Sequence, residues 1–162
     1  PTLFRSVPQS LRGFRYSTYI TGQTAWDDTP LYIWDEWVAY TNGGAVGVDL
    51  VNAGLWSFGW RDAVSGVIEF IIYALAVGMA VEELDPTYFQ QYPQFTEFLA
   101  WHTERSMAVF ATGRMMSEFE WSDQDDLFDG LRYNSDAQEM RDFVRWTFGD
   151  SWAQDVLQLP QP

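Results

Sequence analysis

A-V-S-G-V-I-E-F-I-I-Y-A-L-A-V-G-M-A-V, residues 63–81, decides the fold. Apart from Ser65, Glu69 and two glycines the run is apolar on every side, and Glu82-Glu83 and then Asp85-Pro86 close it. A helix that is hydrophobic all round belongs in the interior of a protein or in a membrane. Its length alone fits a bilayer. Against the bilayer stand the mid-run glutamate, since a charge at that depth costs about 3 kcal/mol or more, and the acids at its C-terminal end. The reading favoured is a central buried helix over about 63–82. A membrane-embedded subunit with residues 63–81 as its span is the less favoured alternative.

Helical spacing continues on both sides. Upstream, Ser6 is placed to cap a helix with Pro8 in its first turn. Val7, Leu11, Phe14 and Thr18 would form its inner stripe, with the arginines displaced, and Gly22 would end it. Asp27-Asp28-Thr29-Pro30 is a strong start signal for the next helix, L-Y-I-W-D-E-W-V-A-Y-T-N, which the Gly43-Gly44 pair is expected to stop. The glycine-spaced stretch 45–52 reads as close packing or a turn-rich linker, and 55–60 as an aromatic connection. Downstream, Pro93 opens a long helix to about Phe119, with Phe95, Phe98, Leu99, Val109, Phe110, Gly113 and Met116 inward. An acidic loop is expected over 120–134. Ser135 then caps a helix that buries Met140, Phe143, Val144 and Phe148, and a short helix runs from Asp150 or Ser151 to about Leu159. No segment has strand periodicity. The expected fold is all-α, a single helical domain over 1–162, with five or six helices around the central one.

Composition narrows the chemistry. The 162 residues include no cysteine, no lysine and one histidine, against 23 acids and 29 aromatic rings. Disulfides and thiolate metal sites are excluded. A net charge of −14 repels phosphate, so nucleic acid is not an expected partner. Residues 1–26 carry Arg5, Arg12 and Arg15 and no acid, which leaves −17 on the remaining 136 residues. This basic segment is expected to dock on the chain's own acidic body, with a partner or an anionic membrane as the less favoured alternatives. The chain starts at Pro1 and its first methionine is Met79. That start is read as the product of processing or trimming, which leaves a missing upstream segment and a secreted or periplasmic destination open.

Three polar positions are candidates for a site. Glu69 shares a stripe with Asp62, Ser65, Gly66, Tyr73 and Ala76; as a buried carboxylate it is either a general base or ligand, or is paired structurally with a tyrosine, tryptophan or arginine. The structural reading is favoured. His102 lies on the apolar stripe of its helix and is the only side chain whose ordinary pKa is near neutrality. It has no second histidine with which to hold a metal, and no G-x-S-x-G turn supplies a nucleophile. A core role is favoured here too, with catalysis the alternative. Glu36 points where Tyr32 and Tyr40 point.

The stretch W-D-E-W-V-A-Y, residues 34–40, resembles the second metal-binding helix of gluzincin-type zinc peptidases. In that family a glutamate on such a helix, often within N-E-G-x-A, is the third zinc ligand. Glu36 and Ala39 match that pattern, while Asp35 stands for the asparagine and Trp37 for the glycine. The resemblance implies that Glu36 binds zinc only together with an H-E-x-x-H helix upstream, and no histidine precedes it here. This chain by itself is expected to hold no cofactor. The run D-Q-D-D-L-F-D-G, 123–130, aligns poorly with a calcium loop ending at Asp136, because Leu127 sits where an oxygen ligand is needed. A solvated acidic loop is the favoured reading.

Trp26, Trp34, Trp37, Trp56 and Trp60 cluster in the first part of the chain: exposed, Trp34, Trp37, Trp56 and Trp60 are candidate interaction residues able to stack on a ligand or partner, and buried, the rings make a heavy core, as tryptophan usually does. The favoured function is therefore an acidic, aromatic-rich interaction or structural module that binds a protein partner or itself. The alternative is a helical fragment of a zinc-peptidase-like enzyme.

Overall fold

The computed structural model describes residues 2–24, 29, 31–56, 63–120 and 122–161. Seven α-helices and no strand occur among them: α1 (Tyr32–Asn52), α2 (Ala63–Leu84), α3 (Pro86–Gln91), α4 (Pro93–Gly113), α5 (Ser122–Tyr133), α6 (Gln138–Phe148) and α7 (Asp150–Leu157). The domain is all-α. Its axis is α2, in which every residue from Val64 to Gly78 is buried. Helices α1, α4, α5 and α6, the turn Thr2–Phe4 and the short α3 all pack against it. By length and composition α2 could cross a membrane, but 89% of its most apolar window is enclosed by the rest of the fold.

The N-terminal segment departs from its expected form. It consists of 3₁₀ turns at Thr2–Phe4 and Gln9–Leu11 and a π-helical stretch at Tyr16–Thr21 instead of one α-helix. Pro8 removes a backbone donor, and Gly13 lies where the chain must pass directly over Glu69. Val7 and Leu11 are buried as expected. The next inward position is Arg15, which is buried, whereas Phe14 is exposed. The segment does lie on the acidic body. Arg5 pairs with Glu83, Arg15 pairs with Glu69, and the Ser10 amide and hydroxyl donate to Asp136 at 3.0 and 2.6 Å. Those two donors hold the Asp136 carboxyl below its ordinary pKa.

Two more expectations are corrected. Helix α1 does not stop at Gly43-Gly44 but runs to Asn52. Gly44 faces Val67 and Val109, and Gly47 faces the Phe119 ring, so the helix keeps going because neighbours fill the space above them. The acidic stretch read as a loop is α5. Leu127, Phe128 and Leu131 bury one face of it, and Asp123 and Asp125 in its first turn complement the positive end of the helix dipole. The residues aligned with a calcium loop therefore follow a helical path. Of the Asp27–Pro30 start signal only Thr29 lies within the described residues, and Trp26, Trp60 and Asp62 lie outside them.

Candidate functional site

Glu69 is 1% exposed, one helical turn before Tyr73 on α2. Its Oε1 accepts from the Arg15 amide at 2.7 Å and from the Tyr73 hydroxyl at 2.5 Å, and its Oε2 accepts from Arg15 Nη1 at 2.9 Å. Arg15, 3% exposed, also reaches Ser65 Oγ at 3.3 Å and lies 5.0 Å above the Tyr40 ring. Burial by itself would lower the arginine's pKa. Hydrogen bonds to Tyr40 and Glu69 and the Glu69 charge outweigh it, so the guanidinium stays charged. Burial, then the adjacent Glu69 charge and hydrogen bond, push the Tyr73 phenol far above its ordinary value and keep it protonated.

Two glycines make room for this knot. A Cβ on Gly13 would stand 2.7 Å from the Glu69 carboxyl carbon. One on Gly66 would overlap the Tyr40 ring, which is itself stacked on Phe70 at 4.5 Å. The knot is a closed ion pair with its hydrogen bonds satisfied, the arrangement that a buried charge requires.

Glu36 is half-buried and accepts from the Tyr32 hydroxyl at 2.5 Å. It adds to the forces that raise the Tyr19 phenol, behind burial and the Tyr40 hydroxyl 3.2 Å away. A row of phenols, Tyr32, Tyr19 and Tyr40, thus leads from Glu36 towards Arg15. No three histidine or carboxylate groups converge as a metal site among the described residues.

His102 sits apart from this row, between α1 and α4. Trp37 meets the imidazole edge-on with centroids 4.3 Å apart, and Phe98 stacks parallel to it at 5.4 Å. Neither ring nitrogen makes a hydrogen bond of normal geometry. Burial first, and the Arg105 charge second, push its pKa down to about 4, with backbone hydrogen bonding at Trp37 opposing them. Glu69 and His102 are therefore not brought into one cavity, and each is enclosed by its own neighbours.

A pKa below the unfolded value of 6.5 has a definite sign. The unfolded chain takes up the proton first, so the stability tied to neutral His102 is full above pH 6.5 and drains away as pH falls towards 4. The loss is expected to reach about 2 kcal/mol, somewhat less than the full shift would give. Urea melts of wild type and His102→Phe across this range test it. Parallel losses in the two proteins would refute it.

Trp34 and Trp37 are core residues. Trp34 stacks on Phe95 and Phe98 at 4.7 and 5.3 Å, and Trp56 is half-buried against Phe119. Trp34 and Trp37 therefore offer no platform to a partner, because Trp34 is stacked on Phe95 and Phe98 and Trp37 is enclosed by Trp34, Phe98 and His102. Among the described residues the exposed indoles are Trp101 (57% exposed) and Trp146 (83% exposed), and the rings of Phe14, Tyr92 and Tyr133 are exposed too. A signal for Trp146 was present in the sequence: with Glu139 and Asp142 it lies on the side of α6 turned away from Met140 and Val144, next to Phe143. No family model, curated protein or solved structure matches the chain.

Proposed function

We propose that this chain is a non-catalytic helical module that binds a protein partner, or a second copy of itself, through an acidic exterior set with exposed rings. One observation carries the reading: Glu69, the carboxylate best placed for catalysis, has both oxygens engaged by Arg15 and Tyr73 in a site without solvent access. A group so occupied has no lone pair facing a substrate. His102 is equally enclosed. What remains open to other molecules is a strongly negative surface carrying Trp101, Trp146 and Met115, and aromatic residues and methionine are enriched in protein interfaces.

The zinc-peptidase-like reading would keep Glu36 as its ligand and needs a histidine pair supplied from outside this sequence. The membrane reading would require α2 to give up the helices now wrapped around it.

Sedimentation velocity over a wide concentration range, together with affinity capture on the immobilised chain, tests the proposal. Self-association or one saturable partner, weakened in a Trp101→Ser/Trp146→Ser variant that melts like wild type, is the expected result. A strictly monomeric chain with no saturable partner would overturn it.

A further inference from the structure

A cleft lies between the end of α2, the N-terminal segment and α6. It has a volume of about 920 Å³, with Met79 and Phe143 on its floor and Glu82, Glu83, Glu139 and Asp142 around it. Trp146 stands at its edge with its indole open to solvent. We propose that this cleft docks an arginine-bearing amphipathic segment of a protein partner, an assignment that rests on the binding-module reading above and gives it a location.

Four features agree on that occupant. The volume suits several side chains. Among the described residues, four carboxylates and a single cation, Arg5, line the cleft. Arg5 itself is the second, independent pointer: a guanidinium is already seated there, paired with Glu83. The chain's own basic end thus samples the class of group that the cleft accepts. Finally, an exposed indole beside carboxylates can stack on a second guanidinium while the carboxylates take its N–H groups, and the floor beneath offers apolar contact to the residues between the arginines. The excess negative charge of the whole chain adds long-range attraction for such a segment.

The Arg5–Glu83 pair is exposed on both sides and contributes little to stability. It can therefore yield to a competitor, and Arg5→Ala should leave the fold intact while removing that competitor.

The probe is a fluorescein-labelled peptide alternating arginine and leucine, with a glutamate–leucine peptide as control, followed by anisotropy at low and high salt. Wild type is expected to bind the arginine peptide and not the control, less tightly as salt rises. Glu139→Gln/Asp142→Asn should weaken binding about tenfold and Trp146→Ser about threefold, while Arg5→Ala tightens it roughly threefold. Each variant is first shown to melt like wild type. Binding by wild type that the cleft variants leave unchanged overturns the cleft assignment and spares the module reading. No binding of the arginine peptide, in a chain that still captures a partner or self-associates, also overturns the cleft alone. No binding together with a monomeric, partnerless chain overturns both.

Discussion

Replacing Arg15 by methionine should cost about 3–5 kcal/mol, one of the two largest losses available from a single change. The methylene stem and its packing are largely kept, so the loss reports the charge. Without the guanidinium, Glu69 must stay ionised in a dry interior with only the Arg15 amide and the Tyr73 hydroxyl to hold it, or take up a proton. Glu69→Gln is expected to be milder. The amide oxygen can still accept from those two donors, and Arg15 retains Ser65 and the Tyr40 face. The double replacement Arg15→Met/Glu69→Leu should recover much of the single loss, because buried pairs often exchange for apolar residues at little net cost. Urea midpoints for wild type, Arg15→Met, Glu69→Leu and the double replacement close a double-mutant cycle. An Arg15→Met loss below about 1 kcal/mol would mean that water reaches the pair and that the closed knot is wrongly described.

Trp37→Ala is the second. The ring has no solvent exposure and is bounded by Trp34, Phe98 and His102. Truncation removes that burial and leaves a cavity between α1 and α4, with an expected cost of about 3–5 kcal/mol. It also removes one wall of the histidine's enclosure. Where the variant still folds, the His102 pKa should climb from about 4 back towards 6.5, as read from imidazole NMR shifts. Should it fail to fold, Trp37→Phe supplies the same readout with a smaller cavity. An unchanged pKa beside a confirmed cavity would place the cause of the depression elsewhere.

Residues 63–82 could be read as the core helix because a run apolar on all sides has few other homes. The Tyr73–Glu69 contact was half legible too, since positions four apart share a helix face. Arg15 was not, because its partner lies 54 residues away and the segment bearing it is not the α-helix its spacing suggested. Local periodicity carries no information about a contact of that range. Helix α5 was missed for a different reason. Aspartates weaken helix propensity, yet here they sit at the favourable end while Leu127, Phe128 and Leu131 supply the packing that outweighs them. The glycines at 44 and 47 were ambiguous in the same way. Glycine marks both helix ends and close approaches, and only the positions of Val67, Val109 and Phe119 decide between them. Clustering along the sequence could not say whether Trp34 and Trp37 stack on a partner or fill the core; their packing on Phe95, Phe98 and His102 decides it.

The Arg15–Glu69 tie also bears on how the chain is made. During synthesis the arginine leaves the ribosome well before the glutamate it will meet, and it stays hydrated through that interval. Joining them is a non-local step, separate from the later arrival of α4, α5 and α6 on the same helix. A non-local closure of this kind is slow compared with winding a helix, so the nascent chain spends that time with its most apolar helix uncovered.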